Sequence, residues 1–245
     1  MIRSEAVQIG PLTCRTVDFL MEDDRPEYIV VLCHGFGAPG TDLVPIALQI
    51  FSAAPELKKK VRFVFPEAPL SLEPYGYGDG RAWWMIDMMA LQRAMEMGDF
   101  RDLRGNEPEG LPEARQMLTE TLQNLREESG LDWARLVLGG FSQGAMVTTD
   151  ITLRLKENPA GLVVYSGTLL NESEWKRLAP QRAGLKVIQS HGQLDPILPY
   201  EGAVLLNDML TEAGLDVDFI PFMGVHTIPD AGLKAFVQFL VKLIH

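Results

Sequence analysis

A serine between two glycines is the first feature of this sequence that could carry chemistry. Ser142 lies in the segment GFSQG at 140–144, where an apolar run ends and a helical pattern begins. On a sharp turn from strand to helix, a serine hydroxyl stands exposed above the sheet, and flanking glycines leave room for the turn. The same pattern also fits a serine that caps a helix in a glycine-rich turn. The segment therefore predicts either a nucleophile or a helix cap.

The histidines of the chain test the nucleophile hypothesis. A serine hydroxyl is a weak nucleophile and needs a base, usually a histidine oriented by a carboxylate. The sequence holds four histidines. His245 is the last residue, and His34 and His191 each follow a strand-like run, whereas His226 lies in a loop before the C-terminal helical pattern. Enzymes with a serine on such a turn follow the chain order serine, acid, histidine, which selects His226 as the base.

The acid must then lie between the serine and the histidine. Asp195 does so, in a loop just after a strand-like run and beside two prolines. Its alternative role is an Asx turn before proline. Asp216 and Asp218 fall at the start of the last strand, where we expect them to face solvent, and Asp150 is expected on the exposed face of the helix after the serine. This ordering favours Asp195 as the acid.

Acyl transfer also needs backbone donors for the oxyanion. The N–H of Gln143, directly after the serine, is one candidate. The second is the N–H of Phe36, because Gly35 and Gly37 leave the backbone around it free to turn inward. His34 is then expected to brace this loop rather than to act as a base.

The same loop supports a rival interpretation, a dinucleotide-binding oxidoreductase. Residues 35–40 read G-x-G-x-x-G after a strand-like run, and Glu67 follows the next such run. Pro39, however, removes an N–H group from the segment that would cradle a pyrophosphate. The N-cap of the next helix is expected at Thr41 or Asp42, which places the glycines before the helix. The cofactor interpretation is therefore the remote alternative.

The elements that must position these residues follow from an alternation of strands and helices. Continuously apolar runs predict strands that are covered on both faces; they lie at 28–33, 61–65, 135–140, 161–166, 185–190 and 216–222. Helical patterns lie between them, including 111–129 before Gly130 and 200–213 before Gly214. The N-terminal residues are expected to form an antiparallel hairpin at the sheet edge. The predicted fold class is α/β, with a mostly parallel, doubly wound sheet and helices on both faces.

Length, charge and cysteine content limit the class of protein. The chain has 245 residues, 47% of them hydrophobic, a formal net charge of −11 and two cysteines. These values fit one soluble α/β domain over 1–245, with no apolar run long enough to span a bilayer and no signal peptide. The acidic balance argues against nucleic acid or an anionic membrane as partner. Two cysteines make no disulfide framework, so we expect a reducing cytoplasm.

Six segments resemble one known family. They are CHGFGAPGTDL at 33–43, FPEAP at 65–69, RAWW at 81–84, GGFSQGAM at 139–146, HGQLDPILP at 191–199 and GVHTI at 224–228. Their order and spacing resemble the phospholipase/carboxylesterase family of α/β hydrolases, which includes acyl-protein thioesterases and small bacterial carboxylesterases. The resemblance covers the chain from about Tyr28 to the C-terminus. It departs from the family pattern at WWMID, where members usually read WFDI, and at Val225, where they often have glycine.

The resemblance implies a serine hydrolase of the α/β-hydrolase fold. By it, Ser142, Asp195 and His226 are nucleophile, acid and base, and the N–H groups of Phe36 and Gln143 form the oxyanion hole. It also implies no metal or organic cofactor, a cytoplasmic location and, as in some members, a homodimer. The expected substrate is a small or short-chain carboxylic ester, with an acyl-thioesterase or lysophospholipase as the alternative.

A methionine-rich stretch adds a candidate for substrate binding. The candidate substrate contacts are Trp83, Trp84, Met85 and Met88. Residues 88–110 look like an insertion after them, acidic and rich in methionine, a flexible side chain that adapts to varied apolar shapes. The insertion is interpreted as a lid over an acyl chain, and the alternative is that its methionine face packs on the core.

Overall fold

A computed structural model describes residues 2–21, 24–87, 104–105 and 107–245. Ten strands are present in these ranges. They are β1 (Arg3–Ile9), β2 (Leu12–Asp18), β3 (Tyr28–Cys33), β4 (Val61–Pro66), β5 (Leu70–Ser71), β6 (Arg81–Ala82), β7 (Leu136–Phe141), β8 (Gly161–Tyr165), β9 (Lys186–Gly192) and β10 (Asp216–Phe222). Six α-helices accompany them in the same ranges, namely α1 (Val44–Ala53), α2 (Leu111–Ser129), α3 (Gln143–Arg154), α4 (Glu172–Leu178), α5 (Tyr200–Glu212) and α6 (Asp230–Leu243).

Eight of the strands form one sheet in the order β1-β2-β4-β3-β7-β8-β9-β10. The six strands from β4 to β10 in this order are parallel, and β1 and β2 form an antiparallel hairpin at the edge. The chain starts its parallel part at β3, in the interior of the sheet, and extends it in both directions. The predicted doubly wound sheet and the edge hairpin are therefore confirmed. The carboxyl ends of β3, β7, β9 and β10 carry the loops that hold the candidate site.

The continuous apolar runs are explained by helices on both faces of the sheet. On β3, Ile29, Val31 and Cys33 belong to one core, and Val30 and Leu32 belong to the other. The first core is completed by α2, α3, α4 and α5, and the second by α1 and α6. Since alternate residues of a strand point to opposite faces, a strand with both faces covered must be apolar at every position.

Asp150 corrects one expectation from the sequence. It lies on α3 but is fully buried rather than exposed. Its carboxylate accepts hydrogen bonds from Trp175 Nε1 at 2.8 Å and Arg154 Nε at 3.2 Å, and it pairs closely with Arg115. A buried carboxylate is tolerated where it is paired and hydrogen-bonded in this way. The sequence gives no sign of these partners, because they come from α2 and α4 as well as from α3.

The glycine-rich loop after β3 differs from a phosphate-binding loop. The N-cap of the next helix, α1, is Leu43, one to two residues later than the predicted Thr41 or Asp42, and it makes no side-chain cap. The glycines therefore lie before the helix, as the sequence predicts. A Cβ atom on Gly40 would lie 2.9 Å from Cβ of Glu67, so this glycine is needed for close packing of two loops.

The two cysteine thiols are unpaired and buried. Burial raises the pKa of Cys14 to about 12 and raises the pKa of Cys33 well above its ordinary value. Because the thiolate is the reactive form, both are expected to be inert. Native protein treated with iodoacetamide should keep in full the ester hydrolysis that the sequence predicts and show no alkylation by mass spectrometry, whereas unfolded protein should be alkylated at both positions. Rapid inactivation that substrate prevents would contradict the serine mechanism.

None of the helices in the described ranges has the length and apolar character that crossing a membrane requires.

Candidate active site

Ser142 lies at the junction between β7 and α3 with an unusual backbone. Its φ is 54° and its ψ is −119°, a conformation that L-residues rarely adopt and that costs about 1–3 kcal/mol. The Ser142 N–H donates to the carbonyl of Tyr165 at 2.8 Å, which holds the turn against β8. The flanking glycines have no room for a side chain, since a Cβ on Gly140 or Gly144 would lie 2.4 or 2.0 Å from the carbonyl oxygen of Cys33. Backbone strain at a half-buried serine is typical of a functional position rather than of a helix cap, and Ser142 makes no side-chain cap.

His226 and Asp195 meet across two loops at the same end of the sheet. Nδ1–H of His226 donates to Oδ2 of Asp195 at 2.6 Å. The other carboxylate oxygen, Oδ1, accepts from the backbone N–H of Ile197 at 2.8 Å and of Leu198 at 2.9 Å. Burial alone would raise the pKa of Asp195, but hydrogen bonds from His191 and His226 outweigh it and the pKa is lowered. The carboxylate is therefore ionised and oriented toward the imidazole.

The loop that carries His226 is fixed from two sides. The ring of His226 packs against that of Phe141, with centroids 4.8 Å apart, and Ser166 Oγ donates to the carbonyl of Thr227 at 3.1 Å. The competing acids lie elsewhere. Asp216 and Asp218 are exposed on β10, and Asp216 pairs with Lys186 on the neighbouring strand.

Ser142 and His226 both line one cavity of about 390 Å³ with mainly apolar walls. Its walls come from the loop after β3, the segment after β6, the residues just before α2, the junction of β7 with α3, and the loops after β8, β9 and β10. The lining residues include Gly35, Phe36, Ala38, Trp84, Met85, Ile86, Phe141, Met146, Leu170, Ile197 and Leu198. The cavity has the size and character of a site for a small apolar ligand.

The two candidate oxyanion donors lie in the loop after β3 and at the start of α3. Phe36 lines the cavity, and Gln143 is the first residue of α3, where helical N–H groups have no partner within the helix. Within the described ranges, neither backbone N–H donates to a protein acceptor. No protein acceptor there therefore competes for either N–H, and the helix N-terminus favours negative charge beside Ser142.

The side chain of Gln143 has a role that sequence reasoning missed. It is fully buried, and its amide accepts from the N–H of Trp83 and donates to the carbonyl of Trp84, each at 2.8 Å. This pair of bonds attaches the cavity wall to the start of the helix that follows Ser142. The sequence offers no signal for it, because the two segments are about 60 residues apart.

The four candidate substrate contacts are placed differently from one another. Trp84 and Met85 line the cavity. Trp83 lies behind the wall, fully buried, with its Nε1–H donated to the carbonyl of His34 at 3.0 Å. Met88 lies outside the described residues, as does most of the insertion predicted at 88–110.

His34 braces the loop after β3. Its Nε2 accepts from the N–H of Ala68 at 3.1 Å, and its Nδ1 lies 2.9 Å from the carbonyl of Gly35. Desolvation lowers the pKa of His34 to about 4. The neutral ring therefore holds two loops in place.

This burial predicts a pH-dependent stability. Between about pH 6.5 and pH 4 the unfolded chain binds a proton at His34 that the folded chain does not, so stability falls as the pH falls through this window, by roughly 3 kcal/mol at most. In His34→Gln, whose amide oxygen still accepts from Ala68, the loss between pH 7 and pH 4.5 should be smaller. Thermal melts of both proteins check this, and equal pH dependence would contradict it.

His191 also contacts the acid, which sequence reasoning did not anticipate. It is fully buried at the end of β9, and its Nε2 lies 2.8 Å from the carbonyl of Leu198 and 3.2 Å from Oδ2 of Asp195. The sequence held one sign of this contact, since His191 lies four residues before Asp195 at the end of a predicted strand.

Comparison with known proteins decides the family. A family model described as phospholipase/carboxylesterase matches residues 18–244. The chain belongs to the phospholipase/carboxylesterase family. This confirms the resemblance and the α/β-hydrolase fold expected from it, with hydrolysis of esters or thioesters as the activity. The match leaves no support for the dinucleotide-binding alternative.

Individual family members are distant in sequence. Acyl-protein thioesterase 1 of Neurospora crassa is 28% identical over 217 residues, which cover 87% of this chain and 85% of that protein. A crystal structure of esterase PE8 has a TM-score of 0.74 and 27% identity, and the match covers 89% of this chain and 94% of that chain. A carboxylesterase from Mesorhizobium loti, at 18% identity and a TM-score of 0.72, covers 97% of this chain and 98% of its own and supports the fold alone.

Proposed function

We propose that this member of the phospholipase/carboxylesterase family hydrolyses small carboxylic esters through an acyl-enzyme on Ser142. His226 is the general base and Asp195 the acid that orients it. The observation that carries the proposal is that Ser142, on a strained turn, and His226, hydrogen-bonded to Asp195, line the same apolar cavity.

In the first half of the reaction the acyl group moves to the enzyme. His226 Nε2 takes the proton of Ser142 as Oγ attacks the carbonyl carbon of the ester. The resulting oxyanion accepts hydrogen bonds from the N–H groups of Phe36 and Gln143, which have no other protein acceptor among the described residues. The bond from carbon to the alcohol oxygen then breaks, and His226 returns the proton to the leaving alcohol.

The second half releases the acid. A water molecule gives a proton to His226 Nε2 and attacks the acyl carbon, and the bond to Ser142 Oγ breaks as Oγ regains a proton. During both halves the ionised Asp195 stabilises the imidazolium form of His226 and keeps Nδ1 protonated. The low pKa of Asp195 fits this role, since its carboxylate stays charged throughout.

A substrate panel tests the proposal. Initial rates should be measured on p-nitrophenyl esters of increasing acyl length, with a matched acyl thioester of each length. We expect the highest kcat/KM on short acyl groups, because the cavity of about 390 Å³ is small and its wall includes bulky residues such as Trp84. The absence of any ester turnover that depends on Ser142 would refute the proposal.

Acyl-thioester hydrolysis is the second candidate. It is favoured by the relatives named acyl-protein thioesterase 1, which align over most of this chain. The same Ser142, Asp195 and His226 would act, with a thiolate as the leaving group in place of an alkoxide. A kcat/KM for the thioester that exceeds that of the matched ester at every acyl length would select this function.

The insertion at 88–110 is proposed as a lid on the single domain. Replacement of residues 89–103 by a short Gly/Ser link, which leaves Arg104 and Glu107 in place, should give a folded protein that still reacts with a fluorophosphonate. Its preference among acyl lengths should shift. An unfolded product would support packing on the core instead, and an unchanged acyl-length profile would contradict the lid.

A cytoplasmic location and a homodimer are further parts of this proposal. The unpaired buried thiols of Cys14 and Cys33 support a reducing compartment. Light scattering on the purified protein gives the mass in solution, and a value near 27.3 kDa would exclude the dimer.

A further inference from the structure

The carboxylate of Asp195 is contacted by two imidazoles rather than one. His226 donates to Oδ2 at 2.6 Å, and His191 Nε2 lies 3.2 Å from the same oxygen. The contacts come from two different segments, since His191 is at the end of β9 and His226 is in the loop after β10. The side chain of His191 is fully enclosed, so solvent does not compete for this contact.

The hydrogen on His191 can be placed from its neighbours. Nε2 faces the carbonyl oxygen of Leu198 at 2.8 Å and Oδ2 of Asp195, and both are acceptors. Nε2 must therefore carry a hydrogen to bond either of them. Nδ1 has no hydrogen-bond partner within the described part of the chain, so an N–H there would be buried without an acceptor. The arrangement thus fits a hydrogen on Nε2 alone, shared between the two oxygens.

The four contacts on Asp195 fix the carboxylate in one orientation. The N–H groups of Ile197 and Leu198 hold Oδ1, and the two imidazoles hold Oδ2. The ring of Tyr200 on α5 also packs beside His191, with ring centroids 6.4 Å apart. Because His191 also contacts the carbonyl oxygen of Leu198, it holds both the side chain of Asp195 and the backbone turn that follows Asp195.

We propose that His191 is a positioning residue of the active site, whose Nε2–H holds Oδ2 of Asp195 toward His226. The proposal rests on the proposed function of Ser142, Asp195 and His226. His191 does not line the cavity, so it acts through Asp195 and not on the substrate.

Two substitutions separate positioning from packing. His191→Phe fills the space but has no donor, and His191→Gln keeps an N–H donor near the position of Nε2. In His191→Phe we expect kcat to fall by about tenfold or more, the scale of a lost hydrogen bond to a charged group, with KM unchanged. The acid limb of the kcat/KM profile should move to higher pH, because a carboxylate with one donor fewer stabilises the protonated form of His226 more strongly. In His191→Gln both values should stay close to those of the unaltered enzyme.

Gln189→Leu is the matched control. Gln189 lies two residues earlier on the same face of β9, is equally buried, and donates to the carbonyl of Ala203 at 2.7 Å without contacting Asp195. This variant should lose stability in thermal melts while its pH profile stays unmoved.

These measurements test the role of His191 separately from the proposed roles of Ser142, Asp195 and His226. Activity that depends on Ser142 but is unchanged in kcat and pH profile in His191→Phe would overturn the positioning role alone. An equal shift in Gln189→Leu would also overturn it. If His191→Phe does not fold, ¹⁵N-histidine NMR of the unaltered protein decides the matter: a hydrogen on Nε2 of His191 supports the proposal, and a hydrogen on Nδ1 alone overturns it.

Discussion

Ser142→Ala is expected to fold normally and to lose nearly all turnover, on the order of 10⁶-fold in kcat. In the proposed mechanism this hydroxyl forms the acyl-enzyme, so its removal leaves only binding and the backbone donors, which support a residual rate of about 10³ over water. Alanine keeps the Cβ that the strained turn already accommodates, and thermal melts should show no loss of stability. Steady-state rates on the best p-nitrophenyl ester measure the effect.

A fluorophosphonate probe provides the control for this variant. Intact enzyme should be labelled at Ser142 alone, identified by peptide mass spectrometry, and Ser142→Ala should not be labelled. Persistent labelling of the variant would remove Ser142 as the nucleophile.

Asp195→Asn is expected to lower kcat by about 10⁴-fold. The asparagine amide leaves His226 without the charge that stabilises its protonated form, and an N–H facing Nδ1 favours the wrong tautomer. His226→Ala should be as damaging as Ser142→Ala, because the three residues act as a unit. Activity should also fall when the pH is lowered enough to protonate His226, since the protonated ring cannot accept the proton of Ser142.

Asp218→Asn is the matched control for the acid. Asp218 also lies between Ser142 and His226 in the chain, but it is exposed on β10. Its substitution should leave the rate within about twofold, the scale of a surface change. A large loss in Asp218→Asn beside a mild one in Asp195→Asn would show that the acid had been chosen wrongly.

The parallel sheet could be predicted because each of its strands is recognisable from its own short, continuously apolar segment. A strand such as β3, covered on both faces, must be apolar at every position, and the glycines at 140 and 144 mark a turn with no space for a Cβ. The order of Ser142, Asp195 and His226 along the chain was equally readable. These are properties of short segments and of their sequence order, which a single sequence displays.

The features that escaped prediction depend on contacts between distant segments. In the sequence, Asp150 has the pattern of an ordinary surface residue of a helix. In the folded chain it is buried because Arg115 and Trp175, from two other helices, pair with its carboxylate. The side-chain bonds of Gln143 to Trp83 and Trp84, and the contact of His191 with Asp195, likewise join segments or side chains whose orientation only the folded chain sets. Periodicity gives the face of a helix but not the partner that will cover it.

The helix Gln143–Arg154 holds both flanks of the stretch from 88 to 103. Gln143 binds Trp83 and Trp84 on the N-terminal flank, and Asp150, two helical turns further on the same face, holds Arg115, which in turn contacts Glu107 on the C-terminal flank. A foreign sequence inserted between these two flanks would keep both attachments to the helix Gln143–Arg154. This stretch is therefore a site where segments of different length can be exchanged while both attachments, Ser142 and its helix stay unchanged.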